Sequence, residues 1–506
     1  MSLMGVDIGQ GGVKAAVFGE SGKLLAIAYQ EYPTLLPKSG FCELDSNKVI
    51  YSALQVIKKV SAEVKKKDPV VAVGIASQGE AFTPVSKDGR FLGNAMTTAD
   101  FRAQHLVAPW SRSFGAEKIY RITGHTPYHM YSLFKLLWLK EHQPDVWQKT
   151  WKFFFFLDLL AFVLTGETKA EYTMASRSML FNVRTKKWSP EILDRIGLPG
   201  RRLPDVVPSG TVVGTLKKDI ARKIGLDKKV SVVLGGHDQP CGALGSGAVT
   251  TDCASYSTGT AECICPAFNR LILNPELMRC NLATYPHVIP EAYTTVAFSL
   301  TGGNILRWVR DNLALEETKE ARQKGQDPYE KIIKSADRNP SRLILLPHFC
   351  PTGTPLFDQS GTGVLFGLKL STTRSEILRA FLEGITYEMK WNLSILNGVG
   401  LKIKELRTIG GGAKSATWLQ IKADILGIPL TTLSITEATC MGAAILAGSG
   451  TGLFDLRTTA GKWAKPTRTF YPRPKYTQAY EERFEIYKEI YHSLASARQS
   501  LQKLKV

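Results

Sequence analysis

The chain opens with Leu3-Met-Gly-Val-Asp-Ile-Gly9, an apolar run that stops on a glycine, and Val13-Lys-Ala-Ala-Val-Phe18 resumes the run beyond it. Apolar stretches interrupted by glycine read as strands joined by a tight turn. The pattern returns near the middle of the chain. Ser231-Val-Val-Leu-Gly-Gly236 reads as a buried strand leading into a Gly-rich helix. Cys253-Ala-Ser-Tyr-Ser257 and Ala261-Glu-Cys-Ile-Cys265 then flank the turn Thr258-Gly259-Thr260. Two strand–turn–strand units so widely separated predict two domains of related topology, not a short-period solenoid. The expected division is 1–247 and 248–506, with the option that the last helix packs back on the first domain.

The intervening pattern predicts an α/β protein. Lys23-Leu-Leu-Ala-Ile-Ala28 is a third strand after the turn Gly19-Glu20-Ser21-Gly22. Apolar residues at 49, 50, 53, 54, 57, 60 and 64 mark an amphipathic helix over 46–67. Val70-Val-Ala-Val-Gly-Ile-Ala76 is a fully apolar strand, so the start reads β-β-β-α-β, a mixed sheet with packed helices. Arg407–Ala413 reads as a strand ending in a Gly turn, followed by a helix over 415–426 with Ser415 as N-cap and another over 437–448. Tyr480, Phe484, Tyr487, Tyr491 and Leu494 form one apolar helix stripe, read as core packing.

Composition removes several classes. With 506 residues, 44 % apolar and 22 % charged, the chain is neither disordered nor short of core, and 44 glycines without a G-X-Y period exclude collagen. The run Phe153–Leu164 is too short to span a bilayer, which takes about 20 residues, and Asp158 interrupts it; it reads as a buried strand entering a buried helix. No secretory leader pattern opens the chain. The eight cysteines, at 42, 241, 253, 263, 265, 280, 350 and 440, show no metal-binding spacing and read as reduced thiols of a cytoplasmic protein. A net charge of +19 raises nucleic acid or an anionic surface as partners. The basic residues are scattered, however, and the densest set, Lys58-Lys59 with Lys65-Lys66-Lys67, has the helical spacing of a solvated face. Neither a nucleic-acid nor a membrane partner is expected.

Four places carry polar chemistry at strand ends. Asp7-Ile-Gly-Gln-Gly-Gly-Val-Lys14 combines glycines, which let backbone N–H groups approach an anion, with a cation and a carboxylate suited to water-bridged Mg²⁺. It lacks Gly-Lys-Ser/Thr, and a strand rather than a helix follows it, so its alternative is a plain β-turn. Thr258-Gly259-Thr260 and Gly410-Gly411-Gly412-Ala413 are further Gly turns, the first suited to phosphate oxygens and the second to a nucleoside or to close strand–helix packing. His237-Asp238-Gln239-Pro240 ends an apolar strand, where α/β sheets place reactive groups; Asp238 reads as a general base or as a helix N-cap. Gln78 and Glu80, with Asp100 and Arg102 further on, suit a polyol or a loop salt bridge.

In this order the pieces resemble the FGGY sugar kinases of the actin/hexokinase/Hsp70 superfamily over nearly the whole chain. Gly361-Thr-Gly-Val-Leu-Phe-Gly through Glu383-Gly-Ile385 is similar to the family's C-terminal signature. Gly410–Leu426 is similar to its adenosine motif, and Glu437–Leu446 to the helix beyond; Lys135-Leu-Leu-Trp138, Leu164-Thr-Gly166 and Ala175-Ser176 fit its first domain. The resemblance implies two ribonuclease-H-like domains flanking a central cleft, and an ATP- and Mg²⁺-dependent kinase for a small sugar, first a ketopentose such as xylulose. Glycerol, erythritol, fuculose and gluconate are the alternative substrates. It implies that Gly9, Gln10, Gly11, Gly12 and Lys14 face phosphate. Thr258, Gly259, Thr260 and Gly303 would form a second phosphate loop, and Gly411, Gly412 and Ser415 would face the nucleoside. Asp7 and Asp238 would serve the metal, with Asp238 also the catalytic base, and Gln78, Glu80, Asp100 and Arg102 would line the sugar pocket. A homodimer is left open. Three positions depart from the family pattern: Gln10 replaces a Thr, Thr98-Ala99 precede Asp100 where Trp-x is usual, and Gly79-Glu80 replaces the Met-His of xylulose-specific members. Gln10 supports a competing reading as a nucleotide switch of the actin or Hsp70 kind, against which the retained Asp238 and the polar sugar set argue.

Overall fold

The structure is a computed structural model, and it describes residues 1–64 and 68–504; the lysines at 65–67, and with them the last turn of the expected 46–67 helix, lie outside the described residues. Its strands are β1 (Ser2–Ile8), β2 (Gly12–Gly19), β3 (Leu24–Glu31), β4 (Val70–Ser77), β5 (Val212–Thr215) and β6 (Ser231–His237) in the first sheet. The second sheet holds β7 (Cys253–Thr258), β8 (Glu262–Phe268), β9 (Tyr285–Pro286), β10 (Tyr293–Thr294), β11 (Ala297–Ser299), β12 (Glu405–Ile409), β13 (Leu430–Leu433) and β14 (Pro466–Phe470). The helices that matter below are α1 (Ser46–Val64), α2 (Phe156–Thr165), α3 (Tyr172–Ser176), α4 (Asp238–Gly245), α5 (Gly303–Asn312), α6 (Pro328–Ser335), α7 (Arg374–Gly398), α8 (Ala416–Leu426), α9 (Ala438–Gly450), α10 (Leu456–Ala464) and α11 (Pro474–Ser493).

The two sheets repeat one plan. The first runs β5-β6-β4-β1-β2-β3, with β1–β2 and β2–β3 antiparallel, β1–β4 and β4–β6 parallel, and β5 antiparallel at the edge. The second runs β9-β10-β8-β7-β12-β13-β14 with β11 also on β8. Here β7–β8 is antiparallel, β7–β12 and β12–β13 are parallel, and β14 is antiparallel at the edge. Thus each hairpin with a Gly turn begins a sheet that continues through two parallel strands. The parallel strands are buried on both faces, which is why β1 and β4 read as unbroken apolar runs instead of alternating ones. The 153–164 run forms a short strand, Lys152–Phe155, passing directly into the buried helix α2.

Helices cross between the halves. α9, from the second half, lies on β1, β4 and β6 of the first sheet, while α4, from the first half, lies against β7 and β8 of the second, and α4 and α9 pack on each other. At four points of this seam glycine lets backbone meet backbone. A Cβ at Gly442 would lie 1.9 Å from the Cys241 carbonyl oxygen, and one at Gly245 would lie 1.8 Å from that of Ala438. A Cβ at Gly5 or Gly74 would likewise lie 1.8 or 1.9 Å from the Cys440 or Ala443 carbonyl oxygen. Glycine therefore permits backbone-on-backbone contact across the boundary between the halves. The last long helix does not make this crossing: α11 packs its Tyr480, Phe484, Tyr487 and Tyr491 stripe on α8 and into a core shared with α7 in its own half. Its stripe is wide and aromatic, fitting a deep pocket between helices, whereas the small-residue α9 fits the flat sheet. None of the described helices is long and apolar enough to cross a membrane.

Gly442→Ala is expected to destabilise the protein by several kcal/mol, because the methyl group meets a fixed carbonyl and not a movable side chain. Gly461→Ala, in α10 with nothing within 4 Å of the new atom, should instead leave the melting temperature unchanged or raise it slightly. Thermal denaturation of both variants checks the contrast.

Candidate active site

Three neighbouring parallel strands of the first sheet end at one edge. Asp7 in β1 is opposite Ala76 of β4, and His237, the last residue of β6, is opposite Ser77. Asp7, Gln78 and Asp238 therefore leave the sheet side by side, at the strand ends where α/β sheets hold their ligands. The Gln78 N–H donates to the Ile8 carbonyl at 2.8 Å, and its side-chain amide donates to the Gly9 carbonyl at 3.4 Å.

The turn after β1 is tight. Gly9 N–H donates to the Gly12 carbonyl at 3.0 Å, and the Tyr32 hydroxyl, reaching from beyond β3, donates to the Gly9 and Gly12 carbonyls. Gly12 has no room for a side chain, since a Cβ would lie 2.7 Å from both the Gln30 carbonyl and the Tyr29 ring, while Gly11 faces open space. Gln10 is exposed, its amide nearest the Cys42 sulfur at 3.9 Å. Lys14, paired across the hairpin with Asp7, forms an ion pair with Glu437, the N-cap residue of α9. Burial pulls the Lys14 pKa down, but the Glu437 carboxylate outweighs it and holds the ammonium charged. Glu437 had no signal in the sequence beyond its place at the start of a helix.

Asp238 is the first residue of α4, and His237 occupies the N-cap position without a side-chain cap, so Asp238 does not cap the helix. A quarter of its side chain is exposed, and its Oδ1 lies 3.3 Å from His237 Nε2. Burial, reinforced by Asp7 and Glu80, pushes the Asp238 carboxyl up to about 8. Burial also raises Asp7 to about 6, against the pull of Lys14, and leaves its Oδ1 buried without a hydrogen-bond partner. His237 is kept neutral by burial and by Arg177, and its Nδ1 is 3.2 Å from the Tyr285 hydroxyl.

Glu80 is buried in the left-handed region at φ 61°. Backbone strain of this kind persists only where the surroundings over-determine it. Its carbonyl accepts from the Ser132 hydroxyl at 2.8 Å and from Lys135 at 3.4 Å, its Oε2 accepts from Thr98 at 2.9 Å, and its Oε1 pairs with Arg177. Gly79 makes this possible: a Cβ there would lie 3.2 Å from the His237 ring and 3.3 Å from Arg177 Cγ. Arg177, just after α3, and the fully buried Lys135, which burial lowers to about 8, are site residues that the sequence did not single out; Lys135 stood only at the head of the Lys135–Trp138 stretch matched to the family's first domain, and Arg177 directly follows Ala175-Ser176.

Asp100 and Arg102 behave differently. Arg102 Nε donates to Asp100 Oδ1 at 2.9 Å, and its NH2 pairs with Asp100 at 2.7 Å and with Glu43 at 2.6 Å. The guanidinium lies 3.7 Å over the Phe41 ring and 4.8 Å over that of Trp138. Asp100 also accepts from the Cys42 N–H at 2.7 Å. For these two the geometry is that of a buried loop ion pair, with the guanidinium shared between Asp100 and Glu43. The aromatic beside them is Phe101, whose ring centroid is 4.5 Å from that of His129 at a tilt of 33°.

The second half offers a cavity of about 710 Å³. Thr258, Gly259, Thr260, Gly303, Gly411, Gly412 and Ser415 all line it, so three Gly turns distant in sequence meet at one place. β7 and β12 are parallel neighbours, with Ser257 opposite Ile409, so both turns leave the sheet together. Gly410 takes φ 90°, and Gly303 N–H donates to the Gly259 carbonyl at 2.9 Å. Thr258 donates its hydroxyl to the Ile409 carbonyl at 2.9 Å, leaving Thr260 exposed at the tip. Ser415 caps α8, accepting from Trp418 N–H. Arg307 of α5, Lys334 of α6, Lys414 and Trp418 also line it, beside the acidic Asp327 and Glu330; Lys414 and Trp418 fall within the Gly410–Leu426 stretch, whereas nothing in the sequence had marked Arg307 or Lys334.

Sequence models of a known enzyme family cover most of the chain. The model for the N-terminal domain of the FGGY family of carbohydrate kinases matches residues 2–245, and that for its C-terminal domain matches residues 254–451. A xylulose kinase from Bacillus subtilis is 28 % identical over 498 residues, covering 97 % of this chain and 96 % of its own. An autoinducer-2 kinase from Enterobacter sp. is 28 % identical over 510 residues, covering 97 % and 94 %. The crystal structure of a gluconate kinase from Lactobacillus acidophilus superposes with a TM-score of 0.91 at 25 % identity, covering 99 % of both chains.

The raised Asp238 pKa has a consequence for stability. Below about pH 4 the carboxyl is protonated both folded and unfolded and costs nothing. Between about 4 and 8 the unfolded chain ionises first, so the fold loses stability as the pH rises. Asp238→Asn should therefore melt with the wild type in acid and increasingly above it towards pH 8.5. Thermal melts across this range test the assignment, and a gap that stays constant with pH would refute it.

Proposed function

The chain belongs to the FGGY family of carbohydrate kinases, and on that premise we propose that it transfers the γ-phosphoryl group of ATP to a hydroxyl of a small ketose, a ketopentose such as xylulose, with Asp238 as the base. The observation that carries this reading is the arrangement of two polar edges: Asp7, Gln78 and Asp238 at the strand ends of one sheet, and the cavity lined by the three Gly turns at the strand ends of the other.

Phosphoryl transfer runs through a loose transition state, so positioning and charge neutralisation do most of the work. In this reading the cavity holds the nucleoside, and the turns at 9–12 and 258–260 hold the phosphates. Lys14 supplies a positive charge, exchanging Glu437 for a phosphate oxygen. The orphaned Asp7 Oδ1 and the nearby Asp238 suit Mg²⁺, which binds through few carboxylates and keeps most of its water. When bound, the ion neutralises charge on the transferring phosphate. Asp238 takes the proton of the attacking hydroxyl. It accepts that proton in its ionised form, and His237 Nε2 lies 3.3 Å from its Oδ1. Gln78 and Glu80 accept and donate to the sugar hydroxyls next to the reacting one, while Asp100 and Arg102 support the pocket from behind.

ADP release measured with a panel of pentuloses, hexuloses, polyols, aldonic acids and autoinducer-2 tests the substrate. A ketopentose is expected to give the highest kcat/KM, and preference for gluconate or glycerol would overturn that assignment while leaving a kinase. Asp238→Ala is expected to lower kcat by about 10²–10⁴-fold with nucleotide affinity little changed. Near-normal turnover in that variant removes Asp238 from the base role.

A further inference from the structure

One fully buried ionic cluster lies directly behind the cavity. Lys422 of α8 and Glu262 of β8 both have side chains with 0 % exposure, and their charged atoms are 2.6 Å apart. The lysine ammonium has three protons to place, and three oxygens receive them: Glu262 Oε1, the Tyr256 hydroxyl at 3.0 Å and the Thr386 hydroxyl at 3.4 Å. Tyr256 in turn donates to the other Glu262 oxygen. The Lys422 ammonium also lies 4.3 Å over the Trp418 ring, whose indole N–H donates to the Leu382 carbonyl of α7 at 3.1 Å.

The placement of these groups matters more than their number. Tyr256 is two residues before Thr258 and Glu262 two residues after Thr260, so the pair grips both arms of the hairpin that ends in the 258–260 turn. Lys422 and Trp418 lie on α8, whose first turn, Ser415 to Trp418, forms the opposite wall of the cavity. A buried ion pair is a poor source of net stability, since desolvation offsets most of its attraction, and replacing both partners with apolar groups is often neutral. It does impose one geometry, because every donor and acceptor is satisfied in only one arrangement. Burial pulls the Lys422 pKa down against Glu262, a cost that packing alone would not demand.

We propose that Lys422 and Glu262 are nucleotide-positioning residues, which set the separation between the phosphate-facing turn 258–260 and the N-terminal end of α8 without touching the ligand. This rests on reading the cavity as the nucleotide site. The pair sets how far the phosphate turn stands from the nucleoside wall, so its loss should act on the nucleotide and spare the sugar.

The test uses the full chain. In Lys422→Met/Glu262→Leu both charges go, so the fold is retained even where Lys422→Met alone leaves Glu262 unpaired and unfolds. The double variant should melt close to the wild type yet show KM for MgATP, and Kd for ADP by calorimetry, raised by about 10- to 100-fold, since a small misplacement is amplified at a transfer site. KM for the sugar should stay within about twofold. Glu262→Gln, which keeps shape but not charge, should move the same two constants in the same direction by a smaller factor. Unchanged nucleotide constants in these variants, or a loss shared equally by sugar and nucleotide, would show the cluster to be structural only and overturn the proposal. A wild-type protein that binds no ADP would overturn it by a separate route, through the reading of the cavity itself.

Discussion

Everything in this molecule is arranged around the contact of α4 with α9. Each helix belongs by chain order to one half and packs on the sheet of the other, and they meet through glycines whose missing side chains admit carbonyl oxygens. The residues that begin these helices are the ones placed for chemistry. Asp238 opens α4, and Glu437, the partner of Lys14, sits at the start of α9. The element that joins the halves therefore also fixes, at its ends, a carboxylate for one sheet edge and the counter-charge for the lysine of the first turn.

The electrostatics follow from that geometry. Bringing three strand ends together buries Asp7 and Asp238, and burial raises both above ordinary carboxylates, helped by Glu437 at Asp7 and by Asp7 and Glu80 at Asp238. Few cations oppose them: Lys14 is engaged by Glu437, and Arg177 by Glu80. A polyanionic ligand with a bound divalent ion would supply the missing positive charge, which is why a kinase reading accounts for a carboxylate cluster that would otherwise be a standing cost. The second sheet differs in character, with Gly turns and hydroxyls around an open cavity whose lining mixes the cations Arg307, Lys334 and Lys414 with the carboxylates Asp327 and Glu330.

How much of this was legible in the sequence depended on whether the signal was local. Apolar runs located β1, β4 and β6, because a strand buried on both faces is apolar at nearly every position, whereas β7 and β12 carry polar residues and were marked by the Gly turns that follow them. The Gly turns lining the cavity were visible as turns, since open backbone needs glycine whatever surrounds it. What escaped were pairings across the chain. Arg177 carried no local signal, and Gly79, which leaves room beside it, lies 98 residues earlier in numbering. Glu437 and Lys14 lie in different halves, and no local pattern links them. Asp100 and Arg102, legible as a polar pair, turned inward because Phe41, Trp138 and Glu43 arrive from elsewhere to cover and satisfy the guanidinium. The option that the last helix packs back on the first domain rested on no pairing signal: α11 keeps its aromatic stripe in the core of its own half, and the small-residue α9 lies on the first sheet.

The glycine seam has a mechanical consequence. Main-chain atoms have no rotamers, so such a junction cannot absorb displacement by repacking. A shear of one half along the other would drive carbonyls into Cα hydrogens within a fraction of an ångström, whereas a pivot about the line where the two helices touch leaves every spacing intact. The architecture thus behaves as an axle: stiff to sliding, compliant to a swing that brings the two polar edges towards each other.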